Sequence, residues 1–183
     1  MDEINKLMTE QLRDAYSAEK QALRAMSRLS KKATAQSLKD AIQMHVEQTD
    51  GQIERLERAL EAIGSKPGRK TCEGMRGIIE EAQQEAEDHD KGPLLDVILV
   101  AGLQRVEHYE IAAYGTMAAL AKACGQQQVA ELLAETLGEE KQTDEKLTQL
   151  AEGELNPAML EAAQGGQEPA NDRRSGGRRS SAA

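Results

Sequence analysis

Ile4, Met8, Leu12, Ala15, Ala22, Met26 and Leu29 recur at steps of three, four and seven residues. Such steps gather side chains on one face of an α-helix and scatter them over both faces of a strand. The spacing predicts a helix from about Asp2 to Ser30. Leu38, Ile42, Ile53, Leu56, Leu60 and Ile63 mark a second helix that stops near Gly64, ahead of "SKPG". A shorter helical piece, "CEGMRGIIEEAQQEAED", covers Cys72 to Asp88. Pro93 opens a third long helix that runs through Ala123, and Gly125 divides it from a fourth, Gln126 to Ala151. Four long helices, with a short one in the connection between the second and third, describe an all-α four-helix bundle with a crossover.

Composition narrows what fills that bundle. The chain has 183 residues, no Trp or Phe and three Tyr, enough for one domain with an aliphatic core. A formal net charge of -9 argues against nucleic acid or an anionic membrane as partner of the folded part. "MDEINKLMTEQ" is acidic and amphipathic, and no apolar run approaches the roughly 20 residues that span a bilayer. Cys72 and Cys124 stand far apart and form neither a disulfide framework nor a cysteine metal site, which fits a cytoplasmic protein. From Gly165 the composition changes to "GGQEPANDRRSGGRRSSAA", too poor in apolar residues to order itself. The expected organisation is a helical bundle over 1–164 and a disordered Gly/Ser/Arg-rich tail over 165–183. Arg173, Arg174, Arg178 and Arg179 are read as a solvated end.

At about 100° per residue, each polar side chain can be tested against the apolar stripe of its own helix. Glu19 shares the face of Leu12, Ala15, Leu23 and Met26 and should point inward; Glu140 falls in line with Leu133 and Leu147, flanked by Thr136, Thr143 and Asp144. On the second helix His45, Thr49 and Gln52 lie on the apolar face, with Glu47 nearly opposite. The third long helix is apolar almost all round, so periodicity does not fix its inner face. Within its "QRVEHYEIAAYG", Glu107 and Glu110 share a side and His108 points away. Tyr114 stands two turns from Glu107 and is read chiefly as a packing residue, with a hydrogen bond or electron donation at the site as the alternative, and His89 in "EDHDKG" is expected in solvent. Buried carboxylates are costly unless paired, hydrogen-bonded or bound to a metal, and several at one level of a bundle favour the metal.

"YSAEKQAL" around Glu19, "HVEQTDGQIERLE", "RVEHYEIAAYGT" and "GEEKQTDEKL" together resemble the YciE/YciF-type bacterial stress proteins, a branch of the ferritin-like superfamily. The resemblance covers Glu3 to about Ala151. Rubrerythrin-like di-iron domains of that superfamily carry Glu on helix one, E-x-x-H on helix two, E-x-x-E on helix three and E-x-x-H on helix four. By that resemblance Glu19 takes the first place, Glu107 and Glu110 the third-helix pair, and Glu140 the fourth-helix Glu. The fourth-helix His place holds Thr143, with Asp144 one residue on as a substitute. On the second helix motif spacing gives Glu47 and Asp50, whereas the apolar face gives Thr49 and Gln52. His45, a turn below Thr49, is a nitrogen donor or a hydrogen-bond partner of a ligand.

The resemblance implies a dinuclear iron or manganese site and a stress protein handling peroxide, oxygen or ferrous iron. Its ligands would be Glu19, Glu107, Glu110 and Glu140, with Asp144 and one of Glu47, Asp50 or His45. Without a four-cysteine rubredoxin-like module, peroxide reduction would need an external reductant. The alternative is a metal-free interaction module on the same fold, with Leu95, Leu99, Leu103 and Val106 as a dimer surface. A homodimer is expected under both readings.

Overall fold

The computed structural model describes residues 2–165. Six α-helices follow one another: α1 (Asp2–Leu29), α2 (Gln36–Ala62), α3 (Glu73–Glu87), α4 (Pro93–Ala123), α5 (Gln127–Leu150) and α6 (Asn156–Gly165). A π-helical turn, Ala151–Leu155, joins α5 to α6, and the described residues include no strand. No described helix is long and apolar enough to cross a membrane.

The chain after Ala151 departs from the expected end of the fourth helix. Asn156 donates its N–H to the carbonyl of Ala151, five residues back, and α6 begins there. The widened turn places Pro157, which has no N–H to give, in the first turn of a new helix rather than inside the old one. Leu155 is buried in the core and the Ser37 hydroxyl donates to Glu154 at 2.7 Å, so this segment packs back onto the bundle. Gly165 closes α6, and the rest of the expected tail lies outside the described residues.

α1 packs on α2 and α4, and α5 packs on the same two helices, which leaves α2 and α4 on a diagonal. The α2–α4 connection therefore crosses the bundle, carrying α3 over α1 and α4. Gly64 and Gly125 end α2 and α4 with φ of 71° and 72°, a left-handed conformation that favours glycine. The next residue in each turn, Ser65 or Gln126, bonds the carbonyl five positions back. Ala35 offers α2 no side-chain cap, and Asp96 of α4 instead fixes the chain just ahead of that helix. Its carboxylate accepts the N–H of Thr34 at 2.7 Å and of Ala35 at 2.9 Å, together with the Thr34 hydroxyl.

The all-round apolarity of α4 has a direct cause. One side faces the bundle and another is covered by α3. A Cβ on Gly102 would come within 2.8 Å of the Ala82 Cβ, so glycine there permits the close approach of the two helices. Leu95, Leu99, Leu103 and Val106 are all buried within this chain and provide no dimer surface, a correction to the expectation from sequence.

The apolar core divides into two clusters. One, including Met26, Leu38, Ile42, Leu99 and Leu103, fills the end covered by α3; the other, including Met8, Leu12, Leu56, Leu60 and Met117, fills the opposite end. Glu19, His45, Thr49, Gln52, Glu107, Glu110, Thr136 and Glu140 are buried polar residues on the helices that both clusters share.

Candidate metal centre

Each long helix delivers a ligand-type side chain to this polar layer. Glu19 stands on α1 between Ala15 and Ala22, whose small side chains let α1 lie close to its neighbours. α2 supplies His45, α4 supplies Glu107 and Glu110, and α5 supplies Glu140; each of the five residues is at most 3% exposed. His45, Glu107, Glu110 and Glu140 offer ligand atoms that all lie within 4.8 Å of one another. His45 Nε2 is 3.0 Å from Glu107 Oε1 and 3.7 Å from Glu140 Oε2. Its Nδ1 lies 3.4 Å from the Thr143 hydroxyl, which steadies the ring from the other side.

Glu19 is held by Tyr114. The phenol donates to Glu19 Oε1 at 2.5 Å, from a position four residues and about 1.1 turns of α4 beyond Glu110. Tyr114 fills both the packing role and the hydrogen-bonding role that its position suggests: it is buried and it donates. Its seven-residue spacing from Glu107, which keeps both on one helix face, was the available signal. Beside the cluster, Arg55 donates to the Thr136 hydroxyl at 2.9 Å and pairs with Glu135 and Glu139, while Gln52 donates to Glu139 at 3.1 Å. These contacts tie α2 to α5. Their exposed and half-buried partners gave the sequence reading no periodic signal.

Most of the cluster has no such partner. Glu19 Oε2, His45 Nε2 and both carboxylate oxygens of Glu107, Glu110 and Glu140 are buried without a hydrogen-bond partner among the described residues. The 3.0 Å contact of His45 with Glu107 is an approach of charges rather than a well-directed hydrogen bond. Native interiors leave few polar atoms unsatisfied, so this concentration needs an explanation.

The proton affinities follow from burial and crowding. Burial pushes Glu140 up to about 11, with the charges of Glu19 and Glu107 adding to it. Burial also raises Glu19, against the Tyr114 hydrogen bond and the His45 charge, to about 7. Glu110 lies well above the usual carboxylate range through burial and then the charges of Glu19, Glu140 and Glu107. For His45, burial opposes the imidazolium, but Glu107 and Glu19 outweigh it and the net shift is upward. Glu19, Glu110 and Glu140 therefore all hold protons more tightly than free carboxylates when no other cation is bound.

Three expected ligands do not join the cluster. Glu47 and Asp50 are exposed because they fall on the outer face of α2, where Glu47 accepts from Gln43 at 3.2 Å. Asp144 is half-buried at the rim, 3.3 Å from the exposed His108 ring and accepting from Gln104 at 3.2 Å. It stands about 100° around α5 from Thr143 and about 40° off the line of Glu140, on the side where Gln104 and His108 meet it rather than the cluster. The face-based reading of α2 places His45, Thr49 and Gln52 inward as observed, and His89 is exposed. The Thr49 hydroxyl is spent on the carbonyl of His45 at 2.9 Å.

Comparison with known proteins agrees with this architecture. The profile described as a domain of unknown function, DUF892, matches residues 3–160. Protein YciF of Escherichia coli (strain K12) is 45% identical over 157 residues, 85% of this chain and 95% of that protein. The crystal structure of that E. coli stress protein gives a TM-score of 0.81 at 44% identity, covering 85% of this chain and 99% of its own. YcfI from Rhodopseudomonas palustris gives 0.77 at 37% identity, covering 79% and 92%. A two-domain protein from Anabaena variabilis with DJ-1/ThiJ/PfpI-like and ferritin-like domains gives 0.57 at 13% identity, covering 95% of this chain and 42% of that one, a likeness of fold alone. The chain is a homologue of the E. coli stress protein with a ferritin-like helical bundle, and it belongs to the DUF892 family.

Proposed function

We propose that the buried cluster binds two divalent cations, iron or manganese, and that the protein acts on peroxide, oxygen or ferrous iron. The observation that carries this reading is the set of orphaned donor atoms on Glu19, His45, Glu107, Glu110 and Glu140. The donor set is chemically apt: four carboxylates and one imidazole suit iron or manganese, and four negative charges are balanced by two divalent cations. Glu107, Glu110, Glu140 and His45 would hold the ions, with Glu19 completing the set from α1. Such ions supply one-electron redox change and a Lewis-acid surface for a small oxidant. Tyr114 orients the Glu19 carboxylate, Thr143 orients His45, and the flanking apolar clusters keep bulk water away.

Metal content decides it. Protein isolated without chelator, then reconstituted anaerobically with Fe(II) or Mn(II), is analysed by mass spectrometry beside a Glu19→Ala, Glu140→Ala variant. Retention of about two ions per chain, lost in the variant, is expected from the charge balance. Glu47→Ala and Asp50→Ala should leave the content unchanged. Less than stoichiometric metal in the wild-type chain would defeat the proposal.

A further inference from the structure

The polar layer meets the surface through a crevice of about 10 Å³. Met26, Ala41 and Leu147 form part of its wall, and His45 and Glu107 of the cluster line it as well. Thr143 also lines it and is half-buried, and Ala41 is 8% exposed, so the crevice opens between α2 and α5. A much larger cleft of about 360 Å³, between α1 and the α2–α3 connection, touches none of the cluster residues. The narrow crevice has room for about one water-sized molecule. Its walls stand on packed helices, so widening it by a branched alkyl group would require α2 and α5 to separate.

We infer that this crevice is the passage by which hydrogen peroxide or dioxygen reaches the cluster, and that its bore excludes alkyl hydroperoxides. The inference rests on the reading of the cluster as a site of peroxide or oxygen chemistry. It assigns Ala41 and Thr143 a part in selecting the oxidant by size. The small side chain of Ala41 leaves the bore open on α2. On α5, Thr143 offers a hydroxyl beside His45 and little bulk.

Met26 provides a reporter that needs no metal. Its sulfur is oxidised by two electrons when it attacks one peroxide oxygen; the O–O bond breaks, the sulfoxide forms, and the other oxygen leaves as water or as the alcohol. Met26 is 1% exposed, whereas Met44 on the same bundle is 41% exposed and reports ordinary surface reactivity.

The experiment treats the full chain, stripped with chelator, with hydrogen peroxide or tert-butyl hydroperoxide and follows both sulfoxides by peptide mass spectrometry. Normalised to Met44, Met26 should react about tenfold or more faster with hydrogen peroxide than with the alkyl peroxide. Ala41→Leu should slow the reaction of Met26 with hydrogen peroxide by a similar factor and leave Met44 unchanged. Thr143→Leu narrows the opposite wall and gives the same result should Ala41→Leu fold poorly, which circular dichroism detects. Equal rates for the two peroxides, an unreactive Met26, or folded variants without effect would overturn the passage. Its failure is separable from that of the metal reading, because metal content is measured independently: bound metal with unselective Met26 oxidation removes the passage alone, and selective oxidation supports it whatever the metal content.

Discussion

Raising the pH of the metal-stripped protein should destabilise it, and adding a divalent metal should reverse the trend. Glu19 is raised from 4.5 to about 7. A folded state that binds the proton more tightly than the unfolded chain has this contribution in full below pH 4.5 and loses it as the pH rises through about 7. At about 1.4 kcal/mol per pKa unit, Glu19 alone is worth about 3 kcal/mol across that window. For a chain of this size that corresponds to a fall in Tm of about 6–12 °C. Glu110, Glu140 and His45 are all shifted upward and act in the same direction, with Glu140 extending the slope toward pH 11. Thermal melts by circular dichroism between pH 5 and 8, at constant ionic strength with chelator, measure it. Metal competes with protons for the same oxygens, so Mn(II) should raise Tm more at pH 8 than at pH 5. A metal-free Tm that stays level or rises over this range would refute the reasoning, as would a metal-induced gain independent of pH.

Tyr114→Phe removes the only donor to Glu19 found among the described residues and should cost about 1–3 kcal/mol in urea denaturation of the metal-free protein. Gly102→Ala forces a Cβ against that of Ala82 and should cost about 1–3 kcal/mol; Ala82→Gly in the same chain should recover part of it, as a double-mutant cycle would reveal. Glu110→Met should stabilise the metal-free chain at pH 8 by about 1–4 kcal/mol while lowering metal content, and Asp96→Asn should destabilise it by about 1–3 kcal/mol with metal content unchanged. Chemical denaturation with parallel metal analysis reads both effects.

The helices were legible because apolar spacing and the stops at Gly64, Pro93 and Gly125 point to the same boundaries. Glu19 and Glu140 were legible for the same reason: each falls on a clear apolar stripe, and burial follows from the stripe. α4 offered no stripe, since α3 covers a side that would otherwise face solvent, and there the family pattern indicated Glu107 and Glu110. That pattern misled on α2. Its spacing pointed to Glu47 and Asp50, but their own helix turns both outward. Asp144 stays out of the cluster for a different reason: half-buried at the rim, its carboxylate meets Gln104 and His108 instead. Pro157 reads in sequence as the end of a helix, and only the π-helical turn before it lets the chain continue into α6. Contacts such as Tyr114 with Glu19 and Thr143 with His45 join residues 95 and 98 positions apart, beyond the reach of any local pattern.

Two acids of α4 separate the requirements of the fold from those of the site. Asp96 and Glu110 are each 2% exposed, so burial alone does not distinguish them. Asp96 receives two backbone N–H groups and a hydroxyl from Thr34 and Ala35, just ahead of α2, and each of those donors would be stranded without it. Asparagine there would present an amide donor where a carboxylate oxygen now accepts, and stability would fall. Glu110 receives nothing among the described residues and is crowded by Glu19, Glu140 and Glu107. An apolar side chain of similar length would relieve both burial and repulsion without stranding any donor. The metal-free fold therefore gains from losing Glu110 and suffers from losing Asp96, and opposite signs from equally buried acids on one helix identify Glu110 as a residue retained for what it binds.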